Sequence, residues 1–198
     1  MIKYNTKEVQ ALEIKTAKDL NITVKNIKYF KGHDGMQGIN ADLYHKNKKF
    51  ATAYDDARGG GMDVRPVDYE LTTLTLFKEI ETKLRALPKY IHIYTSSRSG
   101  KPIGGKPSEY ESQVSLDSIV DALALKKEED KHEKQGIIYK ENGKKYVSHW
   151  NMSIPQMFKK FPKKALPTLQ AKYATLSAKH EIVNKDYLAE VGVVLDLV

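Results

Sequence analysis

The chain has 198 residues, 40% hydrophobic and 29% charged, with no cysteine and a formal net charge of +8. The missing cysteines exclude disulfides, thiolate metal sites and a cysteine nucleophile, and they fit a cytoplasmic protein. No apolar run approaches the roughly 20 residues that span a bilayer, and the N-terminal MIKYNTKEVQ lacks the apolar core of a secretory signal, so no membrane contact is expected.

Taken in order, residues 1–20 read as an N-terminal arm or a short amphipathic helix, with Val9, Ala11, Leu12 and Ile14 toward one side. Residues 21–31 are rich in β-branched and aromatic side chains. Ile22 and Val24 fall on one parity and Ile27 and Tyr29 on the other, which predicts a bulge near Asn26 if the stretch is one strand.

The stretch that organises the chain is GINADLYHKNKKFATAYDDARGGG, residues 38–61. Ile39, Ala41 and Leu43 alternate with Asn40, Asp42 and Tyr44, as a half-buried strand does. A Lys-Asn-Lys turn follows, then a second strand in which Phe50 and Tyr54 are expected on the face opposite Ala51 and Ala53. The small alanines imply a helix lying close. Arg58, Gly59 and Gly60 then offer exposed backbone N–H groups and a cation for a partner, or else a plain connection.

Residues 69–87 carry Leu74, Phe77, Ile80, Leu84 and Leu87 at helical spacing, with Asp68 as a cap and Pro88 as the stop. YIHIY at 90–94 is a short buried strand. Residues 95–114 form a long Ser/Gly/Pro/Lys loop, and Arg98, Lys101 and Lys106 in it are candidate partner contacts. Ser115 begins a helix that becomes wholly charged over 126–134, read as a solvated face. Asn142-Gly143 is the preferred two-residue hairpin turn, placing Tyr139 opposite Tyr146 and Ile138 opposite Val147. A short helix over 152–161 follows Ser153, Leu166, Leu169, Tyr173 and Leu176 mark another, and VGVVLDLV suggests a last strand or a docking tail.

No local motif carries an enzymatic chemistry, and neither a catalytic residue nor a cofactor is assigned. Gly100 to Lys106 has phosphate-loop spacing, but Pro107 stands where a hydroxyl residue must bind Mg²⁺. The six histidines show no pair at ligand spacing, so no metal site is expected. Asp68, Glu81 and Lys83 resemble a nuclease set only by leaving strand ends for a helix. A site near Asp55 and Asp56 is the remaining enzymatic alternative.

The charge is uneven. Residues 136–198 hold 10 basic and 5 acidic side chains, against 11 and 11 over 69–135. Lys159, Lys160, Lys163 and Lys164 interleave with Phe158 and Phe161, a pattern suited to phosphate neutralisation with base stacking, or to a helix junction with solvated lysines.

Ala41, Leu43, Tyr44, Phe50, Gly59 and Gly60 lie in a strand-turn-strand segment ending in Gly-Gly that resembles uncharacterised accessory proteins of phages and integrative elements. The resemblance covers residues 27–61, and Asn47 or Lys48 stands where those proteins carry a turn glycine. It implies a mobile-element origin and a role in binding, or inhibiting, a host protein or nucleoprotein complex such as a defence system.

The expectation is therefore an α+β fold, a single domain over 21–198 with an antiparallel sheet from two hairpins and about three helices on one face. Its expected role is non-enzymatic binding of a host protein or nucleoprotein. Direct DNA or RNA binding through the lysine-rich final third is the alternative.

Overall fold

A computed structural model describes residues 1–32, 35–95 and 108–194. The fold is α+β, and the chain divides into two compact units, Met1–Leu125 and Lys126–Val198.

In the first unit the N-terminal residues are part of the fold. Strand β1 (Lys3–Asn5) runs parallel to β6 (Tyr90–Tyr94), and helix α1 (Thr6–Asp19) starts at a capping box made by Asn5 and Glu8. Its buried face is Val9, Glu13, Thr16 and Ala17, whereas Ala11 is exposed. The expected face included Ala11 because polar Glu13 and Thr16 concealed the true stripe.

Four antiparallel strands follow, β2 (Ile22–Lys31), β3 (Gln37–His45), β4 (Lys48–Asp55) and β5 (Asp63–Pro66), paired in that order. The pairing of β2 with β3 shifts between Lys25 and Lys28, and Asn26 sits at φ 53°. This is the expected bulge. It turns Ile27 to the same core as Ile22 and Val24. The β3–β4 turn is Lys46-Asn47, with φ of 47° and 68°, as a two-residue hairpin of primed type requires.

In β4 the expected parity fails. A second shift, between Leu43 and Tyr44, leaves Phe50 outside the ladder and buried against Phe77 at 6.4 Å between ring centroids. Tyr54 instead stands opposite Asn40 on the outer face, and Ala51 and Ala53 face the core. Helix α2 (Leu71–Arg85) packs on β4 through Phe77, as the alanines implied. Its N-cap is Glu70, without a side-chain cap, while Asp68 accepts a bond from the Glu70 N–H at 3.1 Å. Asp68 therefore closes a turn ahead of the helix.

The stretch expected to be one loop contains β7 (Ser108–Ser112), antiparallel to β6. Its SEYES sequence is an exposed edge strand held by Lys3–Glu109 and Lys89–Glu111 ion pairs. Helix α3 (Leu116–Glu133) closes the unit, burying Leu116, Ile119, Val120 and Ala124 in the core shared with α1, α2 and the four-stranded sheet.

The second unit holds a three-stranded sheet of β8 (Gly136–Glu141), β9 (Lys144–His149) and β10 (Glu181–Ile182), in the order β10-β8-β9. The Asn142-Gly143 turn gives the expected register, Tyr139 opposite Tyr146 and Ile138 opposite Val147. Each anticipated hairpin thus lies in a sheet of its own. Helices α4 (Ile154–Lys160), α5 (Pro162–Ser177) and α6 (Lys185–Glu190) pack Ile154, Met157, Leu169, Leu176 and Leu188 around Ile137. Buried Asn184 accepts from Ile138 N–H and donates to the carbonyls of Gly136 and Glu133, bonds of 2.9, 2.9 and 3.1 Å. The expected terminal strand begins in residues 191–194, which form a turn, and continues outside the described residues.

Gly38 is a point where the four-stranded sheet admits no side chain. A Cβ there would lie 2.5 Å from Cζ of Phe30 and 2.6 Å from the Asp55 carbonyl oxygen. Gly38→Ala is expected to destabilise the protein by about 1–3 kcal/mol through this overpacking, read as a lower urea midpoint with an unchanged m-value. An unchanged midpoint would refute the close approach.

Candidate functional site

Three places bring polar or aromatic groups together. The first is one end of the four-stranded sheet. Phe30 pairs with Gly38 across the strands, and because Gly38 has no side chain the Phe30 ring reaches over its backbone. The Tyr54 ring lies beside it, with centroids 6.0 Å apart and planes 17° from parallel. Tyr54 is 47% exposed, as is Met36.

Arg58, Gly59 and Gly60 follow β4 at this same end. Asp55 accepts a bond from the Ala57 N–H at 2.8 Å and Asp56 one from the Arg58 N–H at 3.0 Å, so both carboxylates shape the turn. Gly59, at φ 79°, lies near the Met36 methyl, and Gly60 is exposed with open space around its Cα. The Arg58 side chain is 87% exposed and 4.0 Å from Asp56. Sequence reading found Arg58, Gly59 and Gly60 but missed Phe30, Met36 and Tyr54 beside them. The remaining candidates, Arg98, Lys101 and Lys106, lie outside the described residues.

The second place is the junction of α4 and α5. Lys159, Lys160, Lys163 and Lys164 are all exposed there, and among the described residues none has a carboxylate within ion-pair distance. Phe158 is half-buried against the core, whereas Phe161 is exposed with the Lys160 ammonium 5.7 Å from its ring centre. One ring serves packing and the other faces water.

The third place is a cleft of about 300 Å³ in the first unit, lined by residues that include Glu13, Tyr90, His92, Tyr110, Ser118 and Asp121. The Thr6 hydroxyl donates to the Thr95 carbonyl at 2.9 Å, so it accepts from His92 Nε2 at 3.2 Å. His92 Nδ1 then accepts from the Tyr110 hydroxyl at 2.7 Å. Burial holds the His92 pKa below the usual value, which favours the neutral ring that this arrangement uses.

Glu13 is 8% exposed. Burial, opposed by a Ser118 hydrogen bond and reinforced by Asp121 and Asp117, pushes its pKa up from 4.5 to about 7. Desolvation of the Asp121 carboxyl, together with the charges of Asp117 and Asp55, raises it to about 6. No sequence motif marked these residues, because they come from α1, β6, β7 and α3. Among the described residues no group of three or more His, Asp or Glu could hold a metal ion, and no helix is long and apolar enough to cross a membrane.

No protein-family model, no curated protein and no solved structure matches the chain.

The cleft makes stability depend on pH. Folded Glu13 binds its proton more tightly than the unfolded chain does, so stability from this group is present below about pH 4.5 and lost as pH rises through about 7. The loss amounts to roughly 3 kcal/mol at 1.36 kcal/mol per pKa unit. Asp121 acts in the same direction and His92 in the opposite one. Glu13→Gln is therefore expected to gain stability over wild type between pH 5 and pH 8, a difference in which the His92 contribution cancels. Urea unfolding at both pH values checks this, and an equal offset at both would contradict it.

Proposed function

We propose that this protein is a non-enzymatic binding module of phage-accessory type that docks on, and inhibits, a host protein or nucleoprotein complex such as a defence system. The observation that supports it is the gathering of Phe30, Met36, Tyr54 and Arg58 at one exposed end of a sheet. Tyr and Arg are the side chains that most often dominate interface energetics, because each combines large contact area with hydrogen bonding. The Asp55 and Asp56 carboxylates already accept backbone bonds in the adjoining turn, which favours a shape-fixing role for them over turnover.

Direct nucleic-acid binding is the second reading. The four exposed lysines around Phe161 favour it, since they would neutralise phosphates beside a ring able to stack.

The two readings separate in a capture experiment from nuclease-treated bacterial lysate. A discrete protein retained by wild type, and bound at least tenfold more weakly by Tyr54→Ala/Arg58→Ala, is the expected outcome. The Lys159/Lys160/Lys163/Lys164→Ala variant should retain it. Capture that ignores Tyr54 and Arg58 would contradict the docking reading, and loss in the lysine variant alone would favour the second.

A further inference from the structure

We infer that the outer face of the four-stranded sheet binds single-stranded nucleic acid, with bases stacking on the Phe30–Tyr54 pair and phosphates held by lysine and arginine along the strands. This goes beyond the docking reading above and assigns the same face a nucleic-acid ligand of its own.

The strand register sets out this face. One row across the sheet is Lys28, Asn40, Tyr54 and Asp63, and the next is Lys25, Asp42, Thr52 and Arg65. Beyond it stand Tyr44 and Lys49, and at the other end lie Phe30 and Gly38.

Four cations, Lys25, Lys28, Lys49 and Arg65, thus share the face with two carboxylates, Asp42 and Asp63. Asp42 is held by Lys49 at 2.7 Å and by the Asn26 amide at 2.7 Å, and Asp63 pairs with Arg65. Lys25 lies 4.5 Å from the Tyr44 ring centre, which keeps its charge close to the sheet. The surplus is positive and complements a phosphate chain.

The rings decide between forms of nucleic acid. The Phe30 and Tyr54 rings stack with planes 17° apart, and Tyr54 is 47% exposed, so its ring offers apolar surface that can extend the stack. Such surface suits an unpaired base, whose π-face is available, whereas duplex bases are already stacked on one another. Lysine-dominated charge with little hydrogen-bonding readout implies weak sequence preference.

The test is fluorescence anisotropy with a labelled homothymidine oligonucleotide and with a duplex of equal length, at two salt concentrations. Wild type is expected to prefer the single strand. Tyr54→Ala should weaken that binding by about 5- to 150-fold, and Tyr54→Phe should retain it. Removing Lys25 and Lys28 should flatten the salt dependence by roughly 0.7 log units per lysine. Lys159/Lys160/Lys163/Lys164→Ala should leave the Tyr54-dependent binding in place.

Equal duplex binding, or binding that ignores Tyr54 and disappears with the four α4–α5 lysines, would overturn the inference. If wild type binds no oligonucleotide but still captures a protein through Tyr54 and Arg58, the inference fails while the docking reading stands. If it does neither, both fail.

Discussion

One extra residue in β2 decides which of its side chains meet the core and which meet water. Strand side chains alternate faces with a period of two, so a continuous ladder would send Ile27 and Tyr29 outward and Lys28 and Phe30 inward. Asn26 takes up the extra residue at φ 53° and donates to Asp42 across the strands at 2.7 Å. The bulge therefore keeps Ile22, Val24 and Ile27 on one core while placing Lys25, Lys28 and Phe30 on the outer face. Core and outer face are two sides of the same constraint.

A second irregularity completes the arrangement. The shift between Leu43 and Tyr44 buries Phe50 against α2 and leaves Tyr54 exposed opposite Asn40. Without it Phe50 and Tyr54 would share a face, and a large ring would stand in water or displace the alanines under the helix. Glycine at position 38 then lets Phe30 reach toward Tyr54. In the second unit the equivalent organising group is Asn184, whose three hydrogen bonds fix the start of β8 beside the end of α3.

Features set by neighbours in sequence were legible. The parity change at Asn26, the Asn142-Gly143 register and the Ser153 helix start each depend on a few adjacent residues. Features set by distant partners were not. Strand β7 reads as loop because its charged residues satisfy an edge, and α1 hides its buried face behind Glu13 and Thr16. The Phe30–Gly38–Tyr54 platform needs three strands in register, and the Glu13–His92–Asp121 cleft needs several elements, so no local pattern announces either. Arg58, Gly59 and Gly60 were found because consecutive glycines after a strand are a local signal. Their aromatic neighbours were not.

The central proposal is that the outer face of the four-stranded sheet binds single-stranded nucleic acid. Amide chemical-shift mapping of the ¹⁵N-labelled protein during titration with a single-stranded oligonucleotide tests it most directly. The account predicts perturbations concentrated at Lys25, Lys28, Phe30, Asn40 and Tyr54, with Lys159 to Lys164 unmoved. Shifts confined to the α4–α5 junction, or none at saturating oligonucleotide, would contradict it.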